Sequence, residues 1–589
     1  MTVESLITQH IDTWTSTVKT QSTSGRGSRK KLDIYGIKKL RELILELAVR
    51  GKLVPQDPND EPASVLLERI VAEKAQLVKE QKIKKSKKLL EISEEEKGFA
   101  LPVGWEWAHL QDLTTYIQRG KGPKYAESGS VKVVSQKCVQ NSGFDLAPAR
   151  YVTDESLDVY QEERFLRDND ILWNSTGTGT VGRANVINDI PYQKIVADSH
   201  VTVIRLTNVY SRFLWCFIMT PGVQSRISPD NENALVSGST KQVELNTSSV
   251  ISLVVPVAPL AEQHRIVAKV DELIALCDQL EQQTEASIEA HQLLVSTLLN
   301  TLTHSADADE LMENWARISD HFDTLFTTEE SIDQLKQTIL QLAVMGKLIP
   351  QDPNDEPASV LLEHIAEEKA QLIKEKKIKK QKALPPIADD EKPFDQPKGW
   401  EWCRLINLVT ILGDGLHGTP EYSEHGEYFF INGNNLSNGS IKIKPETKRV
   451  TEEQYLKYKK KLNDRTVLVS INGTLGNVGF YNNEAVMLGK SACYFNLFQN
   501  ISKDYVKNII QSPYFRDYAL SVATGSTIKN LGLKAMNSFV LGVPPLQEQN
   551  QIVDKIDELM ILCEHLKVQL KESQTTQLHL TDAIIEQAV

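Results

Sequence analysis

An amino-directed methyltransferase needs Asn, Asp or Ser followed by Pro-Pro and an aromatic residue, to hold the amino group of a flipped base. The nearest strings here are VPPL at 543–546, LPPI at 384–387 and SPYF at 512–515, and none meets that pattern. LGKS at 488–491 ends like a phosphate loop, but Glu484 stands where the first glycine belongs, so the backbone cannot wrap a phosphate. Pro58, Asp60, Glu80 and Lys82 faintly follow a nuclease pattern, but Glu80 and Lys82 lie in a lysine-rich run that reads as a solvated helix face. Cys277 and Cys563 fall on an apolar helical stripe and read as small core residues. No His or Cys cluster has metal-ligand spacing. No catalytic residue and no metal site is expected.

Residues able to bind rather than react are more plentiful. In 101–258 they are Arg119, Gly120, Lys121, Lys124, Tyr125, Gln136, Lys137 and Arg183. In 396–544 they are His417, Tyr422, Asn434, Asn435, Asn477, Lys490 and Lys529. Arg can hold guanine with two hydrogen bonds, and Asn or Gln can hold adenine. Gly120, Gly122, Gly415 and Gly418 would let a loop backbone approach phosphate. The plain alternative for each is a polar residue in a surface turn. Both regions carry a Gly-Thr-x-Gly loop, Gly179–Gly182 and Gly473–Gly476, and a Gly-Ser-Thr at 238–240 and 525–527. The lysine runs 79–88 and 374–382 could lie along phosphate, but such a run is more often a solvated helix face.

What positions these residues is a duplicated frame. GKLVPQDPNDEPASVLLE at 51–68 returns at 346–363 with one change, Val54 to Ile349. The likeness extends to EKAQLVKEQKIKK (73–85), to GWEW at 104–107 and 399–402, and, after each divergent region, to PLAEQHRIVAKVDELIALC (259–277) and PLQEQNQIVDKIDELMILC (545–563). It also reaches upstream, where ITQHIDT (7–13) resembles ISDHFDT (318–324), with a Ser/Thr/Gly linker at 15–31. Ile37, Leu40, Ile44 and Leu47 keep helical spacing, with Gly51 as C-terminal cap. Asp60 is a plausible N-cap for the next helix. Two long helices carry apolar seams alternating 4 and 3 apart, from Ile266 to Leu298 and from Ile552 to Ile584, softened at Ser287, His291, Ser573 and Gln577. Each would run roughly 60 Å. They either pair with each other or pack separately on their own domains.

The divergent regions read as mixed α/β. VKVVSQ, HVTVIRL, TVLVSI and FVLGV are short strands, and SRFLWCFIMTPGVQSRI and KDYVKNIIQSPYFRDYAL look helical. The resulting division is a helical scaffold with linker (1–100), an α/β insert (101–258), a long helix (259–302), a second scaffold copy (303–395), a second insert (396–544) and a closing helix (545–589). Composition sets the remaining bounds. With 41% hydrophobic and 24% charged residues, a soluble multi-domain protein is expected. No apolar run suggests a membrane span, and the start lacks a basic segment followed by an apolar one. Six cysteines without a CxxC pair fit a reducing cytoplasm. The net charge of −12 is a poor match for bulk nucleic-acid binding, but it hides a difference: 101–258 is net −2 and 399–544 net +4.

LAVRGKLVPQDPNDEPASVLLERI, the two GWEW strings, GDGLHGTPEY (413–422) and the PLxEQxxIV starts together resemble the specificity subunit of type I restriction–modification systems. The resemblance covers about 7–589. It implies two α/β target recognition domains joined by long antiparallel coiled-coil helices, internally duplicated with pseudo-twofold symmetry. It implies a non-catalytic subunit that reads the two halves of an asymmetric bipartite site in double-stranded DNA. It further implies docking of two methylation subunits and of restriction subunits, in an adenine-N6 methylating, phage-restricting complex. No cofactor is expected on this chain, and the partner subunits would use S-adenosylmethionine, ATP and Mg2+. IQRGKGPKY (117–125) departs from the family's pattern, which the second insert keeps as GDGLHGTPEY. Without the resemblance, a frame whose inserts bind polypeptides fits the same duplication.

Overall fold

The repeated stretch folds the same way in both copies. Helices Tyr35–Val49 and Glu329–Val344 bury the apolar face read from the sequence, with Ile37, Leu40 and Ile44 wholly enclosed. They stop at Gly51 and Gly346, at φ +65° and +68°. The Lys52 N–H then donates to the Leu47 carbonyl and that of Lys347 to Leu342, both at 2.9 Å, closing the exposed carbonyls of each helix end. Space reinforces the choice: a Cβ would lie 2.5 Å from Pro102 Cγ at Gly51 and 2.4 Å from Pro397 Cγ at Gly346.

Two local expectations give way here. Asp60 does not cap the helix Ala63–Lys79. Its N-cap is Pro62, with no side-chain bond, and the Ala63 N–H donates to the Gly104 carbonyl at 2.8 Å. Asp60 instead takes the Arg265 guanidinium at 2.6 Å. The lysine runs are also not helix faces for most of their length. The helices end at Lys79 and Lys374, and Gln81 and Lys376 turn left-handed at φ +57°. Glu80 and Lys82 pair with each other beyond the helix end, at 2.8 Å.

The structure, a computed structural model, describes residues 3–21, 31–157, 160–177, 179–191, 193–239, 242–306 and 308–589. Most of the linker at 15–31 lies outside them. The chain divides into two units, Met1–Ser287 with Ser573–Val589, and Ile288–Glu572. In the first unit, Glu106–His109 and Val254–Val257 pair antiparallel and close the insert at its base. Above them a four-stranded antiparallel sheet runs in the order 184–186, 171–174, 201–206, 114–119, and a smaller one in the order 195–197, 132–134, 150–152, 125–126. Strand Ile195–Ala197 is parallel to Lys132–Val134. The second unit repeats the plan. Glu401–Arg404 pairs with Val540–Val543. The large sheet is 409–414, 492–497, 466–470, 478–480, and the small one is 449–450, 428–431, 486–488. All four strings read as strands are strands. The two strings read as helices each break at a proline: Ser211–Ile218 and Pro221–Gln224, Lys503–Gln511 and Pro513–Val522. A proline has no N–H to continue the ladder.

The three repeated motifs meet at one buried carboxylate in each unit. Trp105 Nε1 and Gln56 Nε2 donate to Glu262 at 3.0 and 2.6 Å. Trp400 Nε1 and Gln351 Nε2 donate to Glu548 at 3.0 and 3.3 Å. The adjacent Gln263 and Gln549 accept from the Tyr210 and Ser502 N–H groups at 2.9 Å. PQDP, GWEW and PLxEQ are thus one joint between scaffold, insert and long helix.

The long helices span Leu260–His304 and Leu546–Ala588. Ile266, Val270, Leu273, Cys277 and Leu280 are buried as the seam requires, but Leu294 is 50% exposed while Val295, Leu299 and Leu302 are buried. In the second helix Leu580 is 47% exposed while Thr581 is buried, although the seam residue Ile584 is buried as expected. Each stripe takes a step of four instead of three after Thr284 and after Leu570, which moves it round the helix. The step falls where each helix leaves one unit's core and enters the other's. The two stripe halves face different neighbours and need not stay in one line.

Candidate nucleic-acid interface

In the first insert the candidate loops converge on a turn, Asp198–His200. Arg119 leaves its strand and donates to the Ser199 carbonyl and to Glu244, and burial holds its guanidinium pKa below the ordinary value. The Gly120 N–H donates to Val201 at 2.9 Å. A Cβ on Gly120 would lie 2.1 Å from the Asp198 carbonyl oxygen, so the missing side chain makes room for the protein's own backbone rather than for phosphate. Lys121, Lys124 and Lys137 are exposed, Lys124 lying 3.7 Å from Glu155. The Tyr125 ring is 40% exposed and lies 4.1 Å under the Arg150 guanidinium. Its hydroxyl meets Asp198, whose burial pushes the carboxyl pKa up.

The Gly-Thr-x-Gly loop joins the same turn. Thr176 Oγ1 bonds His200 Nδ1 at 2.5 Å, and the Ser175 N–H donates to the His200 carbonyl at 2.8 Å. The buried Asn174 amide donates to the carbonyls of Gln136, Val139 and Thr180, each at 3.1 Å, tying the loop to 136–139. Arg183 donates to Gln140 and, at 2.7 Å, to the Gly179 carbonyl. Sequence reasoning missed Asn174 and His200. A polar residue ending the buried strand ILWN was the available signal for Asn174.

The second insert has the equivalent hub at Gly489–Ser491. The Leu416 N–H donates to Leu488 at 2.7 Å and the Ile471 N–H to Ser491 at 3.0 Å. Ser491 Oγ also accepts from the Gly433 N–H at 2.9 Å. Three loops therefore surround the exposed Lys490. Gly415 is packed like Gly120, 2.2 Å from the Leu488 oxygen for a Cβ, whereas Gly418 stands in open space. His417 bonds Asp414 at 2.5 Å and is otherwise exposed. Tyr422 is 47% exposed, and Asn434 is exposed. Asn435 is buried, and its amide is spent inside the fold on Asn432, Lys442 and Thr447. Asn477 and Lys529 sit at the Gly473–Gly476 loop, Asn477 bonded to Ser470 and the Lys529 carbonyl accepting from the Gly473 N–H. They line a cleft of about 1210 Å³ beside the Gly473–Gly476 loop, whose anchor is Ser470, bonded to the Thr474 carbonyl at 2.6 Å.

This chemistry is hydrogen bonding and charge. All six cysteines are buried, and burial pushes the Cys277 thiol up to about 12. Among the described residues no His, Cys, Asp or Glu group has the arrangement of a metal site, and no helix is long and apolar enough to cross a membrane.

Comparison with known proteins identifies the family. Residues 102–290 and 397–573 match the family model described as type I restriction modification DNA specificity domain. The chain is 41% identical over 607 residues to the type I restriction enzyme EcoAI specificity subunit of Escherichia coli, covering all of both chains. It is 41% identical over 605 residues to the EcoEI specificity subunit of the same organism, again covering all of both. A solved chain from a type I R-M system aligns over 83% of this chain and 98% of its own, at 17% identity and a TM-score of 0.48. Two matching domains at the two inserts, and full-length identity to two specificity subunits, place the chain in the family of type I restriction–modification DNA specificity subunits, the non-catalytic DNA-recognition components of their complexes.

Proposed function

We propose that the two inserts read the two different halves of one asymmetric, bipartite site in double-stranded DNA. The observation that carries this is one fold built twice with unlike surfaces: the same strand order in the large sheet and the same Trp–Gln–Glu joint, but exposed Lys121, Lys124 and Tyr125 at one hub where the other presents His417, Tyr422 and Lys490. Reading is assigned to the exposed members, Lys121, Lys124, Tyr125, Lys137, His417, Tyr422, Asn434 and Lys490, with Gln136 and Arg183 at the loop edge. Arg119, Gly120 and Asn435 shape the loops, and Asn477 and Lys529 border the adjoining cleft. The duplicated scaffold would dock two methylation subunits and the restriction subunits in the cytoplasm, with S-adenosylmethionine, ATP and Mg2+ used by those partners. An apolar depression beside the helix Ala63–Lys79, lined by Leu67, Val71 and Ala75, with Val71 63% exposed, supports protein docking there. The test is to exchange 101–258 for the first insert of another family member and sequence the methylome. One half of the modified motif should change. A change in both halves, or in neither, defeats the reading.

A further inference from the structure

Between the small sheet and the central strand of each insert lies a segment whose charge is opposite in the two copies. In both, it follows the strand that borders the small sheet, Arg150–Val152 or Arg449–Val450, and begins after a threonine, Thr153 or Thr451. In the first insert it carries Asp154, Glu155, Glu162 and Glu163. In the second it is the helix Glu452–Tyr458 and the residues after it, with Lys457, Lys459, Lys460 and Lys461.

The second segment is built as a fixed ridge. Tyr455 and Tyr458 pack on the outer face of the small sheet, against the cluster of Phe430, Val450 and Met487. The Tyr455 ring stacks on Tyr428 at 3.8 Å and 8°. Lys459 lies 5.5 Å over Tyr455 and Lys457 5.4 Å over Tyr458, so the lysine stems rest on anchored rings with their ammonium groups outward. Lys457, Lys459 and Lys461 are exposed and Lys460 half-buried. Among the described residues no ion pair engages any of the four. The helix dipole accounts for a lysine in the last turn, not for three more beyond it. Leu416, the residue before His417, packs into the same apolar cluster, so the ridge adjoins the GDGLHGTPEY loop.

We propose that Lys457, Lys459, Lys460 and Lys461 form a phosphate-contacting ridge for duplex DNA beside the second half-site, with no counterpart at the first. This rests on the reading of the inserts as DNA readers and adds that their electrostatics differ: the second half-site is held by backbone charge more than the first. Four ammonium groups without an ion pair, two of them seated over anchored tyrosine rings, are suited to meet phosphates. Such contacts position the duplex without reading it.

The experiment uses the full chain assembled with its methylation subunits. Affinity for a duplex carrying the modified motif, and for a random duplex, is measured against KCl concentration. The quadruple variant K457Q/K459Q/K460Q/K461Q should lower the salt slope by roughly two to four units, at about 0.9 per lost contact. It should weaken both duplexes alike and leave the methylated motif unchanged. The quadruple Lys→Arg variant should keep the slope. If the quadruple Gln variant fails to fold, K459Q/K461Q decides, with an expected fall of about one to two units. An unchanged slope, with sequence-dependent binding intact, overturns the ridge and leaves the DNA-reading role standing. So does loss of assembly with the methylation subunits by a variant that still folds, which would make the ridge a protein contact. Absence of sequence-dependent binding by the unaltered complex overturns both.

Discussion

Glu262 and Glu548 show how a residue with no functional signal can be the centre of a design. Each is buried, and burial raises its carboxyl pKa against the lowering effect of its Trp and Gln donors. The folded chain therefore keeps the proton to higher pH than the unfolded chain, whose glutamate titrates at about 4.3. The associated stability is fully present below that value and is lost as pH rises through the raised one. Glu262→Gln removes this titration, and Gln56 can turn its amide to match the new donor. Its stability should fall less between about pH 4 and pH 7 than that of the unaltered chain, measured by thermal melts. Glu262→Leu instead strands the Trp105 N–H and should cost about 1–3 kcal/mol. Equal losses in both variants would show that the hydrogen bonds are not what holds the joint.

Elements are decided by their ends. Gly51→Ala puts a side chain into a left-handed residue and 2.5 Å from the Pro102 ring, and should cost about 1–3 kcal/mol in a melting experiment. Gly98→Ala, with open space around it, should be near neutral. The long helices make a second case. Their buried stripes take the four-residue step after Thr284 and Leu570, where exposed Ser287 and Ser573 leave little packing to lose. Under the proposed function, inserting four residues there in both helices adds about 6 Å and should widen the unread gap of the methylated motif by one or two base pairs, at about 3.4 Å each. A two-residue insertion turns the stripe by about 200° and should abolish assembly. An active four-residue variant with an unchanged gap would mean that the helices do not set the spacing.

For the chain as a whole, the second unit is one continuous stretch, Ile288–Glu572, but the first is not. The first unit is completed by Ser573–Val589. Ile584 is 6% exposed in its core, Thr581 bonds Thr17 at 3.1 Å, and Asp582 accepts from the Tyr35 hydroxyl at 2.9 Å. Deleting 573–589 removes an apolar side chain worth about 1.5–3 kcal/mol and these bonds with it. Limited proteolysis should then cut within 1–287 while 288–572 persists. Earlier cleavage of 288–572 would contradict this division of the chain.

The helix seams as far as Thr284, the Gly51 cap and the strand strings were legible because each depends on neighbours a few residues apart, and the duplication because its strings repeat nearly letter for letter. The family's motifs were legible as strings, but their purpose was not. Gln56, Trp105 and Glu262 meet only because the chain brings together residues 157 and 206 positions apart. The same holds for Asp60, taken from its expected cap by Arg265, and for Gly120, whose empty side is filled by the Asp198 backbone. Asn435 is an amide in the sequence, and its neighbours turned it inward. The lysines of 457–461 were visible as charges, but only packing set Lys457 and Lys459 over tyrosines of the cluster that Leu416 joins. Periodicity is encoded along the chain, whereas the partner of a polar group is decided by which distant segment the core brings to it.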